Sequence, residues 1–386
     1  MKNALLSILT GVAMFLVPLN VFAHGTEEHT NENAVNYWNY GLMASLLILV
    51  ILLTLLILTK TKTKQLDLKK KENREKQQTL QKRNKIFMWG SIVFLLLAIS
   101  SLIAMNASGE DKVTFTHIHG LGYTSNGEKI YVPSHDGLRV YNNGSWAVQT
   151  VGEKHDYMGF SMFENGFYSS GHPIKSSDLA NPLGIVKSTD YGKTLELLDL
   201  YKEIDFHGMT VGYETEEIYV FNPKQNSSMD QPGFYYSTDE TKTWKQGKLE
   251  GLEGQASSLA AHPTKEGVVA IGTDRGVFLS QNHGDNFEKL AVSGPVTAVS
   301  FGHQNNLLVA TITDEVNLSE IDLTSKKVEE LAIPKLGEDV IRYVKQNPAT
   351  KDEFVFATDK KDIYISNDGG NNWTQSVDEG VAVSHQ

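Results

Sequence analysis

No cysteine occurs anywhere in the 386 residues. Disulfides, thiolate metal sites and cysteine nucleophiles are therefore excluded, and imidazole, thioether, carboxylate and hydroxyl groups are the chemistry that remains. Stability has to come from packing. Arginine is almost as scarce: beyond residue 106 the chain has Arg139, Arg275 and Arg342 and no others. Positive charge of any kind is short there, with 23 Lys or Arg against 40 Asp or Glu, a balance of −17. Such a surface repels nucleic acid and anionic lipid headgroups, so no nucleic-acid partner is expected.

The first hundred residues differ. Residues 4–23 form an apolar run after Lys2 that ends Val21-Phe22-Ala23, the pattern of a signal peptide (1–23) or an uncleaved signal anchor. A short segment, 24–38, follows. Two further apolar runs, 39–59 and 86–105, each approach the roughly 20 residues needed to cross a bilayer and are expected to be transmembrane helices. Between them, 60–85 holds eleven Lys or Arg and three acids. Positive loops stay in the cytoplasm, so the sequence predicts that 24–38 and 106–386 are extracytoplasmic.

After residue 106 a helical period is missing, and short alternating runs rich in Val, Ile, Tyr and Phe are broken by Gly, Asn, Asp and Pro. One eight-residue turn recurs: STDYGKTL from Ser188, STDETKTW from Ser237, SQNHGDNF from Ser280 and SNDGGNNW from Ser366. Each suits a hairpin in which Asp or Asn caps backbone amides and Gly takes a left-handed position. The pattern S-x-D-x-G-x-x-W resembles the Asp-box, or bacterial neuraminidase repeat, of a group of β-propellers that includes sialidases, other glycoside hydrolases, sortilin-type receptors and photosystem assembly factors. Every fixed position is kept at Ser366. Elsewhere Leu195 and Phe287 replace the Trp, Thr241 the Gly and Asn282 the Asp.

Six units can be laid out, with inner strands near 119–123, 158–162, 207–213, 257–261, 296–301 and 340–346. The expected fold is all-β, a six-bladed β-propeller with Asp-box hairpins preceded by N-terminal membrane helices; a two-sheet sandwich is the alternative.

Propeller geometry sorts the histidines. His117, His119, His155 and His207 lie at the starts of inner strands, and His135 and His172 follow second strands, so all six are predicted on one face, the top. His262, His283 and His303 fall on the other. HIHGLG, DYMGFS and DFHGMT align on Gly120, Gly159 and Gly208, which predicts that His119, Met158 and His207 face the channel at one level. Histidine with a thioether nearby, from Met158 or from Met162, Met209 and Met229, suits copper; histidine alone also suits zinc. The candidate metal ligands are His117, His119, His135, His155, Met158, His172 and His207, with copper or zinc as the cofactor; a polar, water-lined mouth is the plainer reading.

Three functional classes follow. A sialidase would need all three arginines converging on a carboxylate, and Arg139 is mid-strand. Another glycoside hydrolase or lyase would need two acids facing across the mouth, from Asp136, Asp156, Asp205, Asp230, Asp274, Asp314 and Asp359. The preferred expectation is a membrane-anchored extracytoplasmic module that binds a ligand or protein and carries a His/Met metal site.

Overall fold

The computed structural model describes residues 37–67, 69–107 and 112–383. The expected signal segment and His24, His29 and His385 lie outside them. The chain divides into two units, Met1–Asp111 and Lys112–Gln386.

The first unit contains helix α1, Tyr37–Lys64, and helix α2, Lys71–Ala107. Both hold stretches long and apolar enough to cross a membrane, with mean hydropathies of 3.0 and 2.4. Leucine, isoleucine and valine are exposed around both, as a lipid-facing surface requires. Ser45, Ser91, Ala98 and Ser101 are buried between them; small residues let two apolar helices approach closely. The helices outrun the apolar runs from which they were expected. Residues 71–85 continue α2 toward its N-terminus because Lys, Glu, Gln and Arg are good helix formers, supported by the Glu72–Lys76 pair at 2.6 Å.

The second unit is a ring of six antiparallel sheets, each made of consecutive strands. Blade one runs through Gly122–Tyr123, Lys129–Ser134, Gly137–Asn142 and Ser145–Val148. The first strands of the next five blades are Asp156–Phe163, Met209–Val211, Ala256–Ala261, Val296–Phe301 and Ile341–Gln346. They begin within three residues of the expected inner-strand positions, and each lines the central channel. Apolar clusters fill every gap between neighbouring blades. Burial on both sheet faces explains why the second strands read as continuous apolar runs such as LLVATI rather than as an alternation.

Ring closure was not legible beforehand. The sixth sheet gains a fifth strand, Val381–Ala382, and Thr114 bridges to Val381. Phe115 N–H donates to Gly380 O at 2.7 Å and Ala382 N–H to Val113 O at 2.9 Å, so the start of the ring is bonded to its end. Phe115, 2% exposed, packs edge-on against Trp146 at 5.0 Å within the cluster shared by blades one and six.

The four serine-led turns share one hydrogen-bond pattern. The serine Oγ accepts the amide four residues on (Gly192, Thr241, Gly284, Gly370) at 2.7–3.0 Å. The Asp or Asn Oδ1 accepts a second amide at 2.8–3.0 Å. Two successive residues take positive φ in each turn, including Thr241 at 67°, where the other three turns have glycine. The serine persists because it satisfies a buried amide that no strand reaches.

Candidate metal centre

The segment before Gly122 is extended but forms no ladder. It is tied to the second strand of blade one by Thr116 N–H to Ser134 Oγ at 3.0 Å and by His119 N–H to Pro133 O at 3.3 Å. Extended backbone sends alternate side chains to opposite sides. Ile118 therefore packs against the core shared by blades one and six, while His117 and His119 point together to the other side. Their rings are parallel, with centroids 5.7 Å apart.

His135 follows Ser134 in the tight turn out of the second strand, and its ring stands 4.2 Å from His117 and 4.9 Å from His119. One nitrogen from each of the three rings lies within 4.8 Å of the others. This is the one such cluster among the described residues.

Asp156, first residue of blade two's inner strand, faces the trio. Its Oδ2 accepts from His135 Nδ1 at 2.7 Å, which leaves His135 Nε2 as a lone-pair donor. Its Oδ1 stands 3.6 Å from His119 Nε2, too far for a hydrogen bond. Both of those atoms are buried without a hydrogen-bond partner. Burial, opposed by Asp156 and helped by the neighbouring imidazoles, pushes the His119 pKa down to about 4. His117 is lowered by burial and then by His135 and Lys361. These two rings are thus neutral at physiological pH, the state in which imidazole ligates metals.

The other predicted ligands are placed differently. His155, 2% exposed, has both ring nitrogens engaged: Nε2 lies 3.1 Å from Glu153 Oε2, and Nδ1 accepts the Ile174 amide at 3.1 Å. It braces the loop after blade two's second strand. Met158 is turned into the wall rather than the channel. A bulge between Met158 and Ser161, with Gly159 at φ 54°, shifts the register, so Phe160 and Ser161 line the channel there. The glycine-based alignment missed that extra residue. His172 and His207 meet instead on Asp205 Oδ2, at 3.2 and 3.0 Å, and His207, outside the trio, still helps lower the His119 pKa. Of the remaining methionines, Met209 lines the upper channel, Met162 the lower, and Met229 is core.

The upper channel is a cavity of about 880 Å³ whose walls include His117, His207, Met209 and Lys345. A second cavity, about 520 Å³, opens on the other face and is lined by His262 and His303. The expected sorting of histidines between faces therefore matches their positions for these residues.

The arginines do not converge. Arg139 is 1% exposed and holds Thr114 O and Asp136, and Arg342 pairs with Asp359 at 2.8 Å. Of the seven acids considered for hydrolysis, five are engaged: Asp136 by Arg139, Asp156 and Asp205 by histidines, Asp274 by the Gln255 amide and Asp359 by Arg342.

The fold defines a six-bladed β-propeller that follows a pair of apolar helices in sequence. No family model and no curated protein matches the chain. Solved structures do match it. A GH74 enzyme from Niastella koreensis is 13% identical over 70% of this chain, with a TM-score of 0.47. This chain spans 46% of that enzyme's length. A YCF48 structure bound to a D1 peptide is 15% identical over 69% of this chain and 83% of its own, with a TM-score of 0.41. YCF48 from Cyanidioschyzon merolae is 13% identical over 69% and 86%, with a TM-score of 0.42.

Proposed function

We propose that this chain is a membrane-anchored, extracytoplasmic binding module that holds a copper or zinc ion at His117, His119 and His135, with Asp156 behind them. The observation that carries this reading is the convergence of three ring nitrogens within 4.8 Å, with Nε2 of one of those rings, His119, and the facing Asp156 Oδ1 both buried without a hydrogen-bond partner. Imidazole suits copper and zinc alike, and neither a thiolate nor a thioether sits in the trio. Zinc–nitrogen bonds of about 2.0–2.1 Å need the donors to close to about 3.3 Å in a tetrahedron. His117 and His135 are exposed enough to swing inward, whereas His119 is held. Asp156 orients His135 as a carboxylate commonly orients a metal-bound imidazole. Three imidazoles leave a fourth position, which an exogenous ligand or a partner's side chain would fill to complete the shell.

Two further elements belong to this reading. The eleven basic residues of 60–85 support a cytoplasmic connection between α1 and α2, and the shared geometry of the four serine-led turns supports kinship with the Asp-box propellers. The test is a titration of the full chain in nanodiscs with zinc and with cupric ion, followed by calorimetry and electron paramagnetic resonance. The expected result is one ion per chain, with nitrogen hyperfine structure in the copper spectrum that His119→Ala removes. Stoichiometric binding that survives both His119→Ala and His135→Ala would place the ion elsewhere and end the proposal.

A further inference from the structure

The channel contains a feature that the histidine trio does not use. Lys345, on the inner strand of blade six, lines both the upper and the lower cavity, a position it shares with Ser161 and Thr210. It stands at the waist of the ring. Its Nζ has neither a carboxylate nor a hydrogen-bond partner among the described residues, and burial alone lowers its pKa to about 8. The side chain is partly buried against the channel wall, and an unpaired ammonium there gives up part of its hydration with no carboxylate to offset the loss.

The surroundings add to the anomaly. Besides Lys345 and the histidines, the charged groups lining the upper cavity are Arg342, Lys361 and Asp359. The one acid is already taken by Arg342 at 2.8 Å. Lys361, which acts on His117 and lines the same cavity, also has no salt bridge among the described residues. On the neighbouring inner strand, in blade five, Thr297, 8% exposed, has a hydroxyl with no hydrogen-bond partner among the described residues. A domain with a charge of −17 has thus kept the upper cavity net positive. Solvated surface needs would not select that arrangement, since the wall could carry any neutral polar residue instead.

We propose that the upper channel is a binding site for a small organic carboxylate, its head on Lys345 Nζ and the Thr297 hydroxyl and its apolar body against Phe160, Leu259 and Val299. The mixed lining favours an organic acid over a bare inorganic anion: apolar walls gain nothing from phosphate, whereas a hydrocarbon body fills them. Lys361 draws the anion to the cavity. This inference is independent of the metal reading.

The test uses the full chain in nanodiscs after EDTA treatment, so that no ion contributes. Reductive methylation near the Lys345 pKa, read by mass spectrometry of its peptide, reports whether Nζ is free. Hexanoate is the probe, with acetate and inorganic phosphate as comparators. At ten times its dissociation constant hexanoate should slow labelling of Lys345 about tenfold, leave exposed Lys242 unchanged and act at lower concentration than acetate. Saturation-transfer NMR should detect bound hexanoate in the wild type and in Lys345→Arg but not in Lys345→Met. His119→Ala should leave protection intact, so that loss of the metal centre and loss of the anion site are read apart. Unprotected Lys345, protection by phosphate but not hexanoate, or hexanoate binding undiminished in Lys345→Met would overturn the proposal.

Discussion

Acidification should weaken this propeller through His119 in a way that one substitution can isolate. The ring titrates near 4 in the folded chain, against 6.5 when free. Between those values the unfolded chain binds the proton and the folded chain does not. Stability is therefore intact above pH 6.5 and is lost progressively as pH falls toward 4.

At 1.36 kcal/mol per unit the full difference is about 3 kcal/mol. The side chain keeps 17% exposure, and screening there trims the figure to roughly 2 kcal/mol. For a domain of this size that corresponds to a change in Tm of about 4 °C. Other groups titrate over the same range, so the informative quantity is the gap between wild type and His119→Gln, melted side by side without metal from pH 7 to pH 4. The wild type should lose about 4 °C more than the variant over that interval. A gap that stays constant with pH would show that His119 is not held neutral by its surroundings, and the argument that it is a ready ligand would fail with it.

Thr241→Gly should stabilise the domain by about 1 kcal/mol, because a β-branched residue is held at φ 67° where glycine is free of strain; a fall in Tm would refute this. Gly284→Ala should cost more than 2 kcal/mol by the cost scale for overpacking, since its Cβ would lie 2.3 Å from Phe234 Cε1; thermal melting again decides. Phe115→Ala should cost about 3–4 kcal/mol by loss of buried ring surface and expose the 113–115 pairing with Val381–Ala382 to amide hydrogen exchange; unchanged exchange there would mean that the ring closes by other contacts. Glu217→Ala should cost about 3 kcal/mol, as its buried carboxylate holds Tyr219 Oη, the Gly267 amide and His283 Nε2 at 2.7–2.9 Å; chemical denaturation measures it.

The candidate site was partly legible. HIH on an extended segment must present both rings to one side, and His135 one turn away on the neighbouring strand must sit at the same end of the blade, so the trio could be assembled from strand order. Asp156 was visible only as an acid at the mouth; nothing in KHDYMG tells which ring its carboxylate will meet. His155 carries the same local signal as His119, an imidazole at the start of an inner strand, and only the Glu153 and Ile174 contacts separate a brace from a free ring. Met158 was misplaced by a single bulge, which reverses the side to which a strand residue points. Lys345 gave no signal, because a lysine in an alternating strand ordinarily faces water.

By itself the amino-acid order determined what repeats locally: the apolar helices, the serine-led turns, six units and the end of the disc at which His117, His207, His262 and His303 fall. These depend on spacing along one chain, and spacing survives without coordinates. Tertiary structure alone decided which side chains touch across blades, how 113–115 closes the ring onto Val381–Ala382, and that the channel of an acidic domain holds an unpaired lysine. Such contacts join residues far apart in sequence, and their distances follow from how six sheets pack around an axis rather than from any one strand's pattern.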